Sequence, residues 1–152
     1  MRRNRIILTQ DRATPVEGIL AVGAKPGQVV QVDATVALQG GRHTWKLYAA
    51  ASGGHPSGPL IILTEDIMQG KTASDAYAAG DRAQGAIPRA GCEFNGLYNG
   101  AVAAADVPVA ITTATGKFFT AAGTEAVIPA KTLEAVANAT TDTLTWMQYS
   151  GY

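Results

Sequence analysis

Gly70-Lys71-Thr72 is the segment whose residue types come nearest to a catalytic motif. The three residues match the end of a phosphate-binding P-loop, in which backbone amides and a lysine hold the phosphates of a nucleotide. Such a loop needs a glycine five positions before Gly70, and this chain has Glu65 there, with Asp66 beside it. Both carboxylates would repel phosphate, so the segment predicts a solvated turn rather than a nucleotide site.

One cysteine and two histidines are the other groups that could do chemistry. Cys92 with His43 or His55 would supply a thiol nucleophile and its base, and Arg89 could lower the pKa of the thiol. No flanking signature of a cysteine enzyme surrounds Cys92, and a single cysteine excludes an internal disulfide or a multi-cysteine zinc site. Both histidines adjoin glycine-rich turns, where such side chains are usually solvated. The sequence therefore predicts no catalytic residue, no metal site and no cofactor.

The composition limits the classes of partner and the size of the core. The 152 residues carry 12 basic and 12 acidic side chains, so no net charge favours nucleic acid or an acidic membrane surface. Alanine accounts for 28 residues, and each alanine buries little apolar area, which predicts a thin core that gains stability from partner subunits. No segment has the roughly 18 apolar residues of a membrane span. The basic start lacks the apolar run of a signal peptide, so a chain that is made and used without secretion is expected.

Short β-like runs, separated by Gly, Pro, Asn and Asp, dominate the chain. Regular short strands with such punctuation predict a mainly β fold, either a small β-barrel or a β-sandwich. One short helix is expected at residues 72–79, and no internal repeat is evident. A soft boundary after residue 100 separates a β-rich domain, residues 1–100, from a smaller β-rich C-terminal part, residues 101–152, and a single domain over the whole chain is the alternative. The expected strands are residues 5–9, 18–22, 28–33, 44–49, 60–64, 82–87, 93–98, 107–113, 117–120, 125–128, 132–137 and 143–149.

Basic and aromatic residues near the two ends of the chain are the candidate partner-binding residues. The N-terminal arm is basic but lacks the aromatic platform or wide basic face that nucleic-acid binding calls for, and a frayed terminus is the alternative. The C-terminal segment carries three aromatic side chains, a residue class that is enriched at protein interfaces. The predicted interface residues are Arg2, Arg3, Arg5, Ile6, Ile7, Trp146, Tyr149 and Tyr152.

One pattern links the chain to a protein family. Residues 70–82 read Gly-Lys-Thr-Ala-Ser-Asp-Ala-Tyr-Ala-Ala-Gly-Asp-Arg, and residues 87–94 read Ile-Pro-Arg-Ala-Gly-Cys-Glu-Phe. This pattern resembles the capsid decoration (cement) proteins of tailed bacteriophages, although Cys92 stands where aspartate is more often expected. The resemblance implies a non-enzymatic virion protein that binds the outer surface of the phage capsid through residues 1–100 and stabilises the head after expansion.

The resemblance also implies the partners of the chain. These are the major capsid protein and the chain itself, as a homotrimer or a dimer, and neither nucleic acid nor a membrane is expected among them. Strand edges could be completed by a capsid strand or arm.

Two other functions fit the same residues. The chain could be another virion part, such as a head fibre base or a tail component. It could also be a small carbohydrate-binding β-sandwich, in which Trp45, Trp146 and the loop at residues 52–59 would form a platform for a sugar ring.

Overall fold

A computed structural model describes residues 5–48, 59–100, 105–111, 115–121, 127–135 and 142–151 of the chain, and for residues 127–129 it describes the backbone alone. These residues form ten β-strands and two single-turn 3₁₀ helices, which confirms the predicted mainly β fold. The 3₁₀ helices are Gln10–Arg12 and Ile67–Gln69. The strands are β1 (Ala13–Leu20), β2 (Val29–Val32), β3 (Thr44–Leu47), β4 (Ile61–Leu63), β5 (Arg82–Pro88), β6 (Glu93–Tyr98), β7 (Pro108–Ile111), β8 (Phe118–Thr120), β9 (Val127–Thr132) and β10 (Thr143–Tyr149).

The strands close into two five-stranded barrels with the same topology. The first barrel has the order β1-β3-β2-β4-β5, and the second has the order β6-β8-β7-β9-β10. In each barrel the first and third strands run parallel, and every other neighbouring pair is antiparallel. Adding five to each strand number of the first barrel gives the second barrel, so the chain contains a structural repeat that the sequence did not reveal.

The parallel strand pair is built in the same way in both barrels. Trp45 on β3 lies over Gly18 of β1, where an added Cβ atom would overlap the indole ring. Phe118 on β8 lies over Gly96 of β6, where an added Cβ atom would lie 2.6 Å from the phenyl ring. Each glycine stands two residues before the strand partner of the aromatic residue. A residue without a side chain at this position lets a large ring fill the barrel interior.

The entry to the second strand is also repeated. Gly27 donates its backbone N–H to Leu63 O at 2.8 Å, and Asp106 donates its own to Thr132 O at the same distance. Both Gly27 and Asp106 have a positive φ, of 87° and 62°. Aspartate is among the few residues other than glycine that tolerate this left-handed conformation. The two barrels therefore share turn geometry as well as strand order.

The barrels have separate interiors but share a packed junction. One cluster of buried side chains lies within the first barrel, and a larger one extends from the second barrel across the junction. The first-barrel cluster contains Leu20, Ala24, Val30, Trp45, Ile61, Leu63, Tyr77 and Ala83. The larger cluster contains Ile6, Ile7, Val29, Tyr48, Leu60, Ile62, Ala73, Ala86, Cys92, Phe94, Tyr98, Val109, Ile111, Phe118, Ala130, Met147 and Tyr149.

Backbone hydrogen bonds join the barrels directly. Val29 donates to Gly116 O at 2.7 Å, and Leu97 donates to Gly27 O at 2.8 Å. A Cβ atom at Gly27 would lie 2.9 Å from the Leu97 nitrogen, so the glycine is required by this close approach as well as by its φ. The junction between the barrels in the chain lies between β5 and β6, whereas the sequence-based boundary lay at residue 100, after β6.

Residues 5–9, which we name the strap, lie between the two barrels. Leu8 donates its N–H to Glu93 O at 2.9 Å, and Asn95 donates to Ile6 O at 2.7 Å, so the strap pairs with the edge of β6. On its other side, Ile6 donates its N–H to the Glu65 carboxylate of the first barrel at 3.0 Å. The strap thereby bonds to both barrels.

The segment between β4 and β5 differs from the expected helix at residues 72–79. Tyr77 forms an isolated bridge with Ala24 there, and its buried ring closes one end of the first-barrel core, with the hydroxyl donating to Thr64 O at 2.8 Å. The Asp75 carboxylate accepts the N–H and hydroxyl of Thr72, each at 2.7 Å, which stabilises a turn. Aspartate and threonine bond the local backbone in this way in competition with a helix.

Candidate interaction surface

The residues that resembled a P-loop form a turn. Gly70 ends the 3₁₀ helix at Ile67–Gln69 in the left-handed conformation, and no helix follows it. The Lys71 ammonium lies 3.4 Å from the Asp81 carboxylate and 4.9 Å from the centre of the Tyr77 ring. Lys71 therefore supports the turn that closes the first barrel, and no helix N-terminus is aimed at a phosphate position.

Cys92 and the histidines do not meet among the residues that the structure describes. The Cys92 side chain is fully buried, and this burial raises the pKa of the thiol. A thiol with a raised pKa is a poor nucleophile near neutral pH. His43 is exposed beside β3, and His55 lies outside the described residues. Within the described ranges no group of three His, Cys, Asp or Glu side chains could hold a metal ion, and no helix is long and apolar enough to cross a membrane.

The predicted interface residues of the N-terminal arm take different places. Arg5 is exposed, whereas Ile6 is completely buried and Ile7 retains 8 % of its surface. Arg2 and Arg3 lie outside the described residues. The two isoleucines belong to the core that joins the barrels, but Ile7 also lines the groove described below, so Arg5 and Ile7 keep surface for a partner and Ile6 does not.

The C-terminal aromatic residues also separate. Trp146 lies partly exposed on the outer face of β10 and donates its indole N–H to the Glu93 carboxylate at 3.2 Å. Tyr149, three residues further along the same strand, is 7 % exposed and packs in the larger core cluster. Tyr152 lies outside the described residues. Trp146 is therefore the C-terminal aromatic residue that the structure leaves available at the surface.

A groove on the first barrel was not expected from the sequence. It has a volume of about 350 Å³ and lies across the outer faces of β1 and β5. Ile67 and Met68 stand at its rim with 67 % and 90 % of their surfaces exposed. Large apolar side chains exposed next to a groove are typical of contact surfaces, and the flexible methionine adapts to different partners. Ile67 and Met68 lie in a turn, so the spacing of apolar residues along the sequence could not predict that they are exposed.

An ion-pair network covers the neighbouring outer face of the first barrel. The Glu17 carboxylate on β1 accepts hydrogen bonds from Arg82 and from Arg42, the latter at 3.3 Å. The Arg82 guanidinium is the main cause that lowers the pKa of Glu17. The three side chains are substantially exposed, so they stabilise the fold little and mainly set the charge of this face.

Comparisons with known proteins place the fold. No family model matches the sequence, and no curated protein matches it. Among solved structures, the chain is similar to the N base of the head fiber protein gp8.5 of bacteriophage phi29, with a TM-score of 0.56 and 10 % sequence identity. The match covers 91 % of this chain and 94 % of that chain. At so low an identity the likeness shows a shared fold, and because it spans nearly the whole chain, it includes both barrels.

Proposed function

We propose that the protein is a structural component of a phage virion that binds the outer surface of the head. The observation that carries this proposal is the fold similarity to a head fiber base over more than nine-tenths of both chains. The sequence pattern at residues 70–94 supports the same class of protein independently, because it resembles capsid decoration proteins.

The contacts of the described residues support a binding role rather than catalysis. The one thiol is buried with a raised pKa, and the P-loop-like lysine is engaged in an ion pair. The exposed features are instead a groove with apolar rim residues and a partly exposed tryptophan. Such surfaces suit protein partners, and we propose the major capsid protein as the first of them.

Within this class, attachment to the head as a fibre base is the closer parallel, and stabilisation of the expanded head is the finer proposal. A thin-cored β-protein gains stability through association, which supports a homotrimer at a junction between capsid subunits. A dimer is the second arrangement that suits a binding protein of this size. The two roles differ in a measurable way, because a stabilising protein raises the temperature at which the shell opens, whereas a fibre base need not.

One of the two tryptophans proposed for the carbohydrate-binding alternative is buried. Trp45 is 2 % exposed, with its ring packed over Gly18 inside the first barrel. A sugar platform needs an accessible aromatic face. Trp146 alone remains partly exposed, so a platform built from both rings is not available in this fold.

Cryo-electron microscopy of the virion tests the proposal. Shells that lack the protein are mixed with purified chain, and the density is compared with that of shells left without it. Extra density on the outer surface of the head, saturating with added protein, is the expected result. Density on the tail, or the absence of saturable binding to mature and expanded shells, would overturn the proposal. A thermal-opening measurement on the same shells separates the stabilising role from the fibre-base role.

A further inference from the structure

The strap closes one edge of the second barrel. β6 begins at Glu93, but it pairs in parallel with β8 at Tyr98. Over the first residues of β6 that edge is taken by the strap, through Leu8 N–H to Glu93 O and Asn95 N–H to Ile6 O. An extended segment has thus been added to the part of the edge that β8 does not reach.

The first barrel has the same edge on β1. Gly18 and Gly96, the glycines beneath the two aromatic rings, are equivalent positions of the two barrels. Counting back from them, Pro15 is equivalent to Glu93, and Glu17 is equivalent to Asn95. The two groups that the strap uses in the second barrel, a carbonyl and an N–H, correspond to Pro15 C=O and Glu17 N–H. Proline lacks an N–H, but the strap takes a carbonyl at that position, so the equivalent contact remains available.

This edge of β1 is open in the part of the chain that the structure describes. β1 pairs with β5 from Ala13 onward, but with β3 only from Ile19. Ile19 donates its N–H to His43 O on the β3 side, and because the direction alternates along a strand, Glu17 N–H points to that same side. Pro15 and Glu17 are both exposed.

The residue between the two hydrogen-bonding positions is buried to a different extent in the two barrels. Phe94 of β6, bridged by Ile7 of the strap, is fully buried. Val16, its equivalent on β1, is only partly buried against the first-barrel core. A strand laid along β1 would cover Val16 as the strap covers Phe94, and this would add apolar burial to two backbone hydrogen bonds.

We propose that the β1 edge at residues 15–17 binds an extended segment of the shell protein by strand addition. The segment donates an N–H to Pro15 C=O, accepts the N–H of Glu17, and places a β-branched apolar side chain opposite Val16, as the strap places Ile7 opposite Phe94. This inference rests on the proposed function for the identity of the partner. Main-chain bonds hold such a segment, and the side chain opposite the central residue selects it.

The charges beside the edge bear on which segment fits. Glu17 is already paired with Arg42 and Arg82, so the three side chains sum to +1 and are mutually engaged. The edge therefore recognises an extended apolar segment without a required lysine or arginine. Charge beside the edge also discourages random strand pairing between copies.

A peptide with the sequence of residues 4–10, Asn-Arg-Ile-Ile-Leu-Thr-Gln, is the direct probe, since it contains Ile6, Ile7 and Leu8, which pair with the equivalent edge of β6. Amide hydrogen exchange of the full chain is followed by NMR as the peptide is added. We expect exchange at Glu17 to slow by about tenfold or more, with little change at Asn95. The control peptide with Leu8→Pro lacks the donor to Pro15 C=O and should have no effect. Unchanged exchange at Glu17, or an equal effect of both peptides, overturns the proposal.

Two variants at one position test the shell partner. Glu17→Pro removes the edge N–H, and Glu17→Ala removes the same ion pairs but keeps that N–H. We expect Glu17→Pro to bind shells about tenfold or more weakly than Glu17→Ala, with both variants retaining the amide spectrum of the second barrel. If the Glu17→Pro spectrum shows a misfolded first barrel, amide exchange at Glu17 is measured instead on the wild-type chain with shells. Slower exchange at Glu17 is then the expected result, and unchanged exchange overturns the proposal.

The outcomes separate this inference from the proposed function. If the wild-type chain and both Glu17 variants bind shells equally well, the proposal for the β1 edge is overturned, but the proposed virion function is not. Absence of shell binding, with peptide protection at Glu17, removes the proposed partner and keeps the edge as a strand-binding site. Protection of Glu17 that grows with the concentration of the chain alone, together with a rise in molecular mass, shows that a second copy occupies the edge and overturns the assignment to the shell.

Discussion

The first barrel is filled by Trp45, the ring of Tyr77 and aliphatic side chains, whereas the second barrel packs two phenylalanine rings together and leaves two of its threonines with no exposed surface. Trp45 occupies the first interior, and Phe118 stands at the equivalent position in the second, 5.6 Å from the ring of Phe94. Thr132 and Thr145 are fully buried in the second barrel. The second core also continues into the junction and the strap. The same topology is therefore compatible with two kinds of core, provided that the glycine beneath the ring and the left-handed entry residue are kept.

The largest expected effect comes from deleting the two equivalent rings. Trp45→Ala and Phe118→Ala should each lower the free energy of unfolding by about 3–5 kcal/mol, because a large buried side chain leaves a cavity behind. Urea denaturation followed by circular dichroism measures the loss, and Trp45→Phe and Phe118→Leu serve as milder controls. Hydrogen exchange should place the first loss mainly in β1–β5 and the second in β6–β10 and the strap. A uniform loss of protection in both variants would show that the two cores act as one.

A smaller, asymmetric effect is expected at the equivalent left-handed positions. Gly27→Ala should destabilise the chain by about 2 kcal/mol, since the added Cβ is strained at positive φ and meets the Leu97 nitrogen at 2.9 Å. Asp106→Gly should change stability by less than about 1 kcal/mol, because it relieves the strain but removes the exposed ion pair with Lys131. Thermal denaturation of both variants gives the comparison. Equal losses at the two positions would contradict the role of Gly27 in the contact between barrels.

The smallest expected effect is a pH dependence carried by the first barrel. The carboxyl groups of Glu17, Asp33, Asp75 and Asp81 have pKa values below the ordinary 4.5 and 3.8, through a hydrogen bond from Arg82 to Glu17 and from nearby hydroxyl and backbone groups to the aspartates. Because the folded pKa values are lowered, the stabilisation is present at neutral pH and is lost as the pH falls below about 4. Urea midpoints at about pH 6 and about pH 3 measure this loss.

The two tryptophans give each barrel its own reporter for that measurement. In Trp146→Phe the fluorescence comes from Trp45 in the first barrel, and in Trp45→Phe it comes from Trp146 on the second. We expect the acid-induced fall of the urea midpoint to be larger for the Trp45 signal. Falls of equal size would mean that the barrels unfold as a single cooperative unit under these conditions.

Strand positions were the part of the fold that local patterns predicted best. β6 and β10 have the bounds that the sequence predicted, because alternation along each run and turn residues at both ends act locally. The runs at residues 125–128 and 132–137 were expected as two strands, but β9 (Val127–Thr132) spans the gap between them. A register irregularity opposite it, between Pro108 and Ala110 of β7, accommodates this longer strand.

The candidate surface was harder to predict, because burial depends on contacts between distant segments. Ile6 and Ile7 were interface candidates by their place in a terminal arm, yet the strap carries them into the junction between the barrels. The open edge of β1 could not be seen from the alternation within β1, because an edge is defined by which strands fail to pair with it. The exposure of Ile67 and Met68 follows from a 3₁₀ turn that carries no periodic signal.

By itself, the sequence determined that the chain is built of short strands and that the segment at Gly70-Lys71-Thr72 lacks the glycine that a P-loop needs. These properties depend on alternation, turn residues and motif spacing, which are local. Only the tertiary structure decided that the strands close into two equivalent barrels. The repeat resides in backbone pairing and in a few steric requirements, such as Gly18 beneath Trp45 and Gly96 beneath Phe118, while other equivalent positions carry different side chains. Backbone hydrogen bonds depend little on side-chain identity, so the repeat is preserved in the fold without appearing in the sequence.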